Sequence, residues 1–152
     1  MFSDRTEFSV FTGTPAEVAR VLGDSLMGDV SVSPDGRLLA YPYSTYTTTS
    51  PGRHLAIVGL ADGSNVKSFD LPGENWNTGP YWTSDGKAVQ YSLIREGIGN
   101  IWQQPIDGGS RTKLTRFTSA EIFDFNWSVD RTQLFLSRGG ITSDVVLLTK
   151  MD

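Results

Sequence analysis

The chain has 152 residues, room for one domain, and its 38% apolar content with 11% aromatic residues is enough to bury a core. A formal net charge of -4 and a pI near 4.9 argue against broad electrostatic attraction to nucleic acid or anionic lipid, since both need a basic face. The absence of cysteine removes disulfides, thiolate metal sites and a cysteine nucleophile.

The N-terminus shows no basic segment followed by an apolar stretch, and no apolar run approaches the roughly 18 residues that cross a bilayer. No membrane contact is therefore expected of this segment. Nothing in the sequence assigns a compartment.

Along the chain, six turn signatures recur, at Thr12-Gly13, Asp35-Gly36, Asp62-Gly63, Asp85-Gly86, Asp107-Gly108 and Asp130-Arg131. The steps between their first residues are 23, 27, 23, 22 and 23, a period that marks a repeat protein built from short antiparallel strands. In chain order, Phe8 to Phe11 and Glu17 to Leu22 read as the outer strands of a preceding unit. A helix opened by Pro15 is the competing reading of Pro15 to Leu22, and the repeat register favours the strand.

Innermost strands are predicted at Val30 to Val32, Gly79 to Trp82 and Phe123 to Trp127. Second strands follow at Leu38 to Tyr43, Ala88 to Leu93 and Gln133 to Ser137, and third strands at His54 to Gly59, Asn100 to Gln104 and Asp144 to Leu148. The more polar Asn65 to Phe69 and Arg111 to Leu114 take the place of outer edge strands, where charge discourages edge-to-edge pairing. Between first and second strands, Ser33-Pro34-Asp35-Gly36 suits a type I turn, and Thr83-Ser84-Asp85-Gly86 repeats it without Pro. Ser128-Val129-Asp130-Arg131 puts Arg where Gly is expected, at a cost on the order of 1 kcal/mol if the backbone stays left-handed. The Thr45 to Arg53 stretch reads as a long insertion, with Thr45 to Ser50 a flexible surface loop.

The segments Ser33 to Tyr41 (Ser-Pro-Asp-Gly-Arg and an apolar strand), Gly99 to Gly109 (Ile101-Trp102 before Asp107-Gly108) and Leu114-Thr115 resemble the TolB-type WD-like β-propeller repeat. The resemblance covers about Phe8 to Leu148. It implies an all-β fold, a partial β-propeller of four-stranded antiparallel blades, two complete and two partial. Residues 1-29 would hold strands of a preceding blade, 30-72 and 73-118 a blade each, and 119-152 an incomplete last blade. The chain departs from the repeat at Val32, where an aromatic is usual, at Arg131 and in the Thr45 to Arg53 insertion.

Ile122 to Ser128, Leu136 to Gly139 and Thr142 to Leu147 are similar to the C-terminal propeller region of bacterial receptor-type serine/threonine kinases and winged-helix regulators. That likeness implies a sensing or scaffolding segment, and no kinase motif is present. A propeller closes with about four to eight blades. Roughly three would therefore leave apolar faces open, so the expected partners are the remaining blades, a protein partner or further copies of the chain.

Candidate sites are few. The lone His54 argues against histidine-rich metal centres and reads as a partly exposed strand residue; no Gly-x-Ser-x-Gly elbow occurs. Asp35, Asp85 and Asp130 read as turn residues bonding their own backbone. Gly97-Ile98-Gly99 lacks the third Gly and the following helix of a dinucleotide loop and reads as a turn. Tyr81, Trp82, Trp102 and Trp127 read as filling the space between sheets.

Loops on one face of the repeat are the better functional bet. That candidate binding face gathers Tyr46, Arg53, Glu74, Trp76, Asn77, Arg95, Glu96 and Arg138, with Trp76 either an exposed anchor or folded onto its own blade. No cofactor is implied. The expected function is non-catalytic protein-protein interaction or ligand sensing. The alternatives are the substrate-gating propeller of a peptidase, a fragment of a propeller lyase, and a structural subunit that assembles with its own kind.

Overall fold

The computed structural model describes residues 6–9, 18–21, 25–26, 28–46, 51–61, 64–71 and 75–140. These contain thirteen strands and no helix: β1 (Thr6–Ser9), β2 (Val18–Val21), β3 (Ser25–Leu26), β4 (Ser31–Val32), β5 (Leu38–Tyr46), β6 (Pro51–Gly59), β7 (Asn65–Asp70), β8 (Asn75–Trp82), β9 (Ala88–Arg95), β10 (Ile98–Pro105), β11 (Thr112–Lys113), β12 (Glu121–Trp127) and β13 (Leu134–Gly139). All pairings are antiparallel. β1 pairs only with β2, β8 to β11 form a four-stranded sheet in chain order, and β12 pairs with β13. In the remaining sheet β3 and β4 lie end to end along β5, which is followed by β6 and β7. None of these sheets closes on itself.

The three first-to-second-strand turns share one hydrogen-bond pattern because they share one sequence pattern. Gly36 N–H donates to Ser33 O and Leu38 N–H to Ser33 Oγ, each at 2.9 Å; Ser33 Oγ in turn donates to Asp35 at 2.6 Å, which also accepts from Arg37 N. Thr83 with Asp85, and Ser128 with Asp130, repeat the set. Gly36 and Gly86 sit at φ 70° and 67°, and Arg131 takes the same place at φ 59°, the left-handed region that a side chain disfavours. Arg131→Gly is expected to raise stability by about 1 kcal/mol, seen as a higher urea midpoint at unchanged slope.

Each of these aspartates is held below the ordinary carboxylate value, first by the hydroxyl of Ser33, Thr83 or Ser128 and then by backbone N–H donors. A depressed folded-state value means that the turn's contribution is complete above the unfolded carboxylate range and is lost as pH falls through the depressed value. Stability is therefore expected to decline below about pH 4. The triple Asp→Asn variant at 35, 85 and 130 should show a shallower acid limb in urea titrations.

Side-chain alternation sorts the core into layers. Ala40, Leu55, Ile57, Trp82, Val89, Tyr91 and Leu93 bury one interface, between the β5 and β9 sheets. Ile101, Ile122 and Phe125 bury the next, between the β10 and β12 sheets. Leu39, Tyr41, Ala56 and Val58 form an apolar cluster on the other face of the β5 sheet. β9 is buried on both faces from Ala88 to Leu93, with Val89, Tyr91 and Leu93 in the apolar interface and the buried polar Gln90 and Ser92 at the alternate positions. β8 neighbours both β4 and β12, so successive sheets stand side by side.

The strand favoured over a helix at Glu17 to Leu22 is found at Val18–Val21, and the strand expected at Phe8 to Phe11 lies earlier, at Thr6–Ser9. Ser25–Leu26 is a short strand that the composition did not signal. Of the Thr45 to Arg53 insertion, with its loop at Thr45 to Ser50, the described ends are ladder, with Thr45 opposite Gly52 and Tyr46 opposite Pro51, because both strands of this hairpin run one residue longer than their counterparts in the next. The turns at Thr12-Gly13 and Asp62-Gly63, the Thr47 to Ser50 tip and the Asp144 to Leu148 strand lie outside the described residues.

Candidate binding groove

Seven of the eight residues expected on a loop face are described, and they lie at one end of the sheets, mostly on paired strands. Tyr46 is the last residue of β5, and Arg53 pairs with Ser44 inside β6. Trp76 pairs with Leu93 in β8 and stacks on Tyr91, centroids 4.9 Å apart at 22°, so it folds onto its own sheet instead of standing out as an anchor. Asn77 donates from Nδ2 to Ile122 O and ties β8 to β12. Arg138, in β13, covers the Phe117 ring at 3.6 Å and donates to Ser119 O at 2.5 Å. Of the described candidates only Glu96 lies in a turn, the two-residue hairpin Glu96-Gly97 with both φ positive, and Arg95 is the last residue of β9, opposite Ile98. Glu74 lies outside the described residues.

His54 is more engaged than a partly exposed strand residue would be. Its Nδ1 meets Asp70 at 2.8 Å, its Nε2 meets Thr45 Oγ1 at 3.0 Å, and its ring stacks on Tyr43. The order hydroxyl, imidazole, carboxylate resembles a nucleophile relay. The ladder register supplies a plainer account, since His54 opposite Tyr43 matches Asn100 opposite Leu93 in the next sheet. Asn100 is buried and binds Thr115 Oγ1, Phe117 N and Phe117 O. Both residues fasten a third strand to the segment at or beyond the fourth.

At the opposite end, where the three aspartate turns sit, the sheets leave a groove. One cavity of about 210 Å³ is lined by Ser31, Val32, Pro34, Tyr81, Trp82, Asn126, Trp127 and Arg131. A second, of about 130 Å³, adjoins it along Trp127 and Arg131 and is completed by Thr83, Ser84 and Gln90. The aromatics are pinned: Trp82 Nε1 donates to Ser31 O at 3.0 Å, and Trp127 Nε1 donates to Gln90 Oε1 at 2.6 Å, Gln90 itself donating to Gln103 at 2.9 Å. Each tryptophan precedes its turn and reaches back to the preceding sheet. Val32 takes the same place in the β5 sheet and is exposed, which leaves one wall of the groove apolar and open.

Tyr81 packs edge-on against Phe125 and donates to Asp124 at 3.1 Å. Burial first, and the Asp124 carboxylate after it, push its phenol above the ordinary value, so it stays a neutral donor. Among the described residues, Arg131 is the single charged one lining either cavity, and no histidine or carboxylate lines the walls. Thr83 Oγ1 is committed to its own turn. The arrangement suits binding: aromatic floor, apolar wall and one cation.

Sequence reading missed this groove. Arg131 registered there as a defective turn, and the tryptophans as core; the signal in plain view was an Arg where glycine fits better. Trp82 is core as expected, whereas Trp102 is half-buried with Arg111 at 4.5 Å and Lys113 at 5.0 Å over its ring. Among the described residues no group of three potential metal-ligating side chains assembles, and no helix is long and apolar enough to cross a membrane.

No family model matches the sequence, and no curated protein matches it. The fold is similar to solved structures, among them the apo form of AtxE2 isopeptidase, with a TM-score of 0.50 and 18% identity over 69% of this chain. The chain spans 20% of the length of that structure. At this identity the likeness concerns fold alone.

Proposed function

We propose that this chain is part of a β-propeller that serves as a non-catalytic binding module, for a protein segment or ligand, within a larger bacterial signalling protein. The observation that carries the reading is the groove between innermost strands β4, β8 and β12, floored by tryptophans whose indoles are hydrogen-bonded in place. A rigid scaffold presenting such a concavity is the ordinary setting of a recognition site. Side-by-side four-stranded sheets support the propeller, and the repeat resemblance supports the signalling context. In the ring, the remaining blades or further copies of this chain cover the outer faces; sedimentation would then give a mass above that of one chain.

The test is a random-peptide display selection against the purified chain. Recovered binders should compete with one another and lose affinity on Trp127→Ala. Failure to recover any binder, or turnover of a small substrate by the pure protein, would overturn the reading.

The second reading, a substrate-gating propeller of a peptidase, is favoured by the likeness to a much longer isopeptidase chain, of which the match covers 20%. A hydrolase domain encoded in frame beside this segment would decide for it; a kinase or DNA-binding domain there would decide for sensing.

A further inference from the structure

Arg131 occupies a backbone position where its two counterparts are glycines, and it holds a left-handed conformation to do so. Its guanidinium forms no hydrogen bond or ion pair with any described residue, although the backbone N–H donates to Ser128 O. The neighbouring Asp130 is already engaged by Ser128 and Thr132. Arg131 therefore has no side-chain partner among the described residues, and it lines both cavities together with Trp127, the larger of them being lined by Val32 and Pro34 as well. Ser84 adds a hydroxyl on the second cavity.

We propose that this double groove takes the C-terminal end of a peptide, its free carboxylate on Arg131, its last apolar side chain in one cavity and the preceding residue in the other. The proposal rests on the binding reading above and names its ligand. A lone guanidinium matches a monoanionic carboxylate bidentately, whereas a phosphate group would call for a cluster of cations. A terminal carboxylate sits next to its own side chain, which fits a cation placed at the junction of two compartments.

The test is fluorescence anisotropy with a fluorescein-labelled pentapeptide ending in Leu-Phe, as free acid and as C-terminal amide. The acid is expected to bind about tenfold or more tightly than the amide, and Arg131→Gly should bring the acid down to the level of the amide. Because glycine suits this turn, that variant should unfold at a higher urea concentration, so lost binding cannot be ascribed to misfolding. Arg131→Lys, which keeps the charge but not the fork, should fall between. Equal binding of acid and amide, indifference to Arg131→Gly, or no binding of either peptide would overturn the carboxylate site. If display-selected peptides still bind in that event, the wider binding reading survives; if none do, both fall.

Discussion

Trp82→Ala is expected to lower the unfolding free energy by about 3–5 kcal/mol and the melting temperature by about 10 °C or more. The side chain is 4% exposed, belongs to the largest buried cluster and bonds Ser31 O across the sheet boundary at 3.0 Å. Truncation thus removes packing and a tie between sheets at once. Trp82→Phe keeps most of the apolar volume and breaks only the hydrogen bond, so it should cost nearer 1 kcal/mol. Urea unfolding followed by circular dichroism separates the two. A loss below 1 kcal/mol for the alanine variant would show that the β4 and β8 sheets do not depend on this residue.

Gly99→Ala should cost about 3 kcal/mol, an outsized penalty for one added methyl group. A Cβ at this position would stand 2.5 Å from Ile122 N and 3.2 Å from Glu121 C. Both are backbone atoms of β12 and cannot rotate away. Gly99 N–H also donates to Ala120 O at 2.9 Å, so the two chains touch directly. Separating them would open the cluster of Ile101, Ile122 and Phe125 and break the Asn77 bond to Ile122 O. Gly140, where an added Cβ meets nothing within 4 Å, is the control: Gly140→Ala should change stability by no more than about 0.5 kcal/mol. Equal costs at the two positions would contradict the close approach.

The Gly97-Ile98-Gly99 segment illustrates what could and could not be read beforehand. A turn is present but one residue earlier than expected, at Glu96-Gly97 with both φ positive, and Ile98 and Gly99 already pair in β10. The reason for the second glycine was not legible, because the atom that forbids a side chain belongs to Ile122. Trp76 is similar: its setting amid polar and glycine residues left two options open, and stacking on Tyr91 selects the inward one. Arg138 looked like a loop cation, but Phe117 and Ser119, far back in the chain, hold it against the surface.

The candidate face was read from the wrong premise for a physical reason. Polar residues near hairpin tips read as loops from composition, yet here they sit on paired backbone, as Arg53 opposite Ser44 and Trp76 opposite Leu93 show. Composition reports burial, and pairing continues after burial has ended. Arg131 failed in the opposite way, being read as a blemish in a turn because its counterparts are glycines, when its side chain lines both cavities.

The sequence by itself determined the all-β class, most strands and the three aspartate turns. Those turns are local: their hydrogen bonds join residues two to five apart, so six consecutive residues contain the whole instruction. Only the tertiary structure decided the groove and the ties between sheets. Trp127 reaches Gln90 across 37 residues, Asn77 reaches Ile122 across 45, and Trp82 reaches Ser31 across 51. Contacts of that span exist only after neighbouring sheets have packed, and no local pattern of residues encodes which backbone atom will lie opposite.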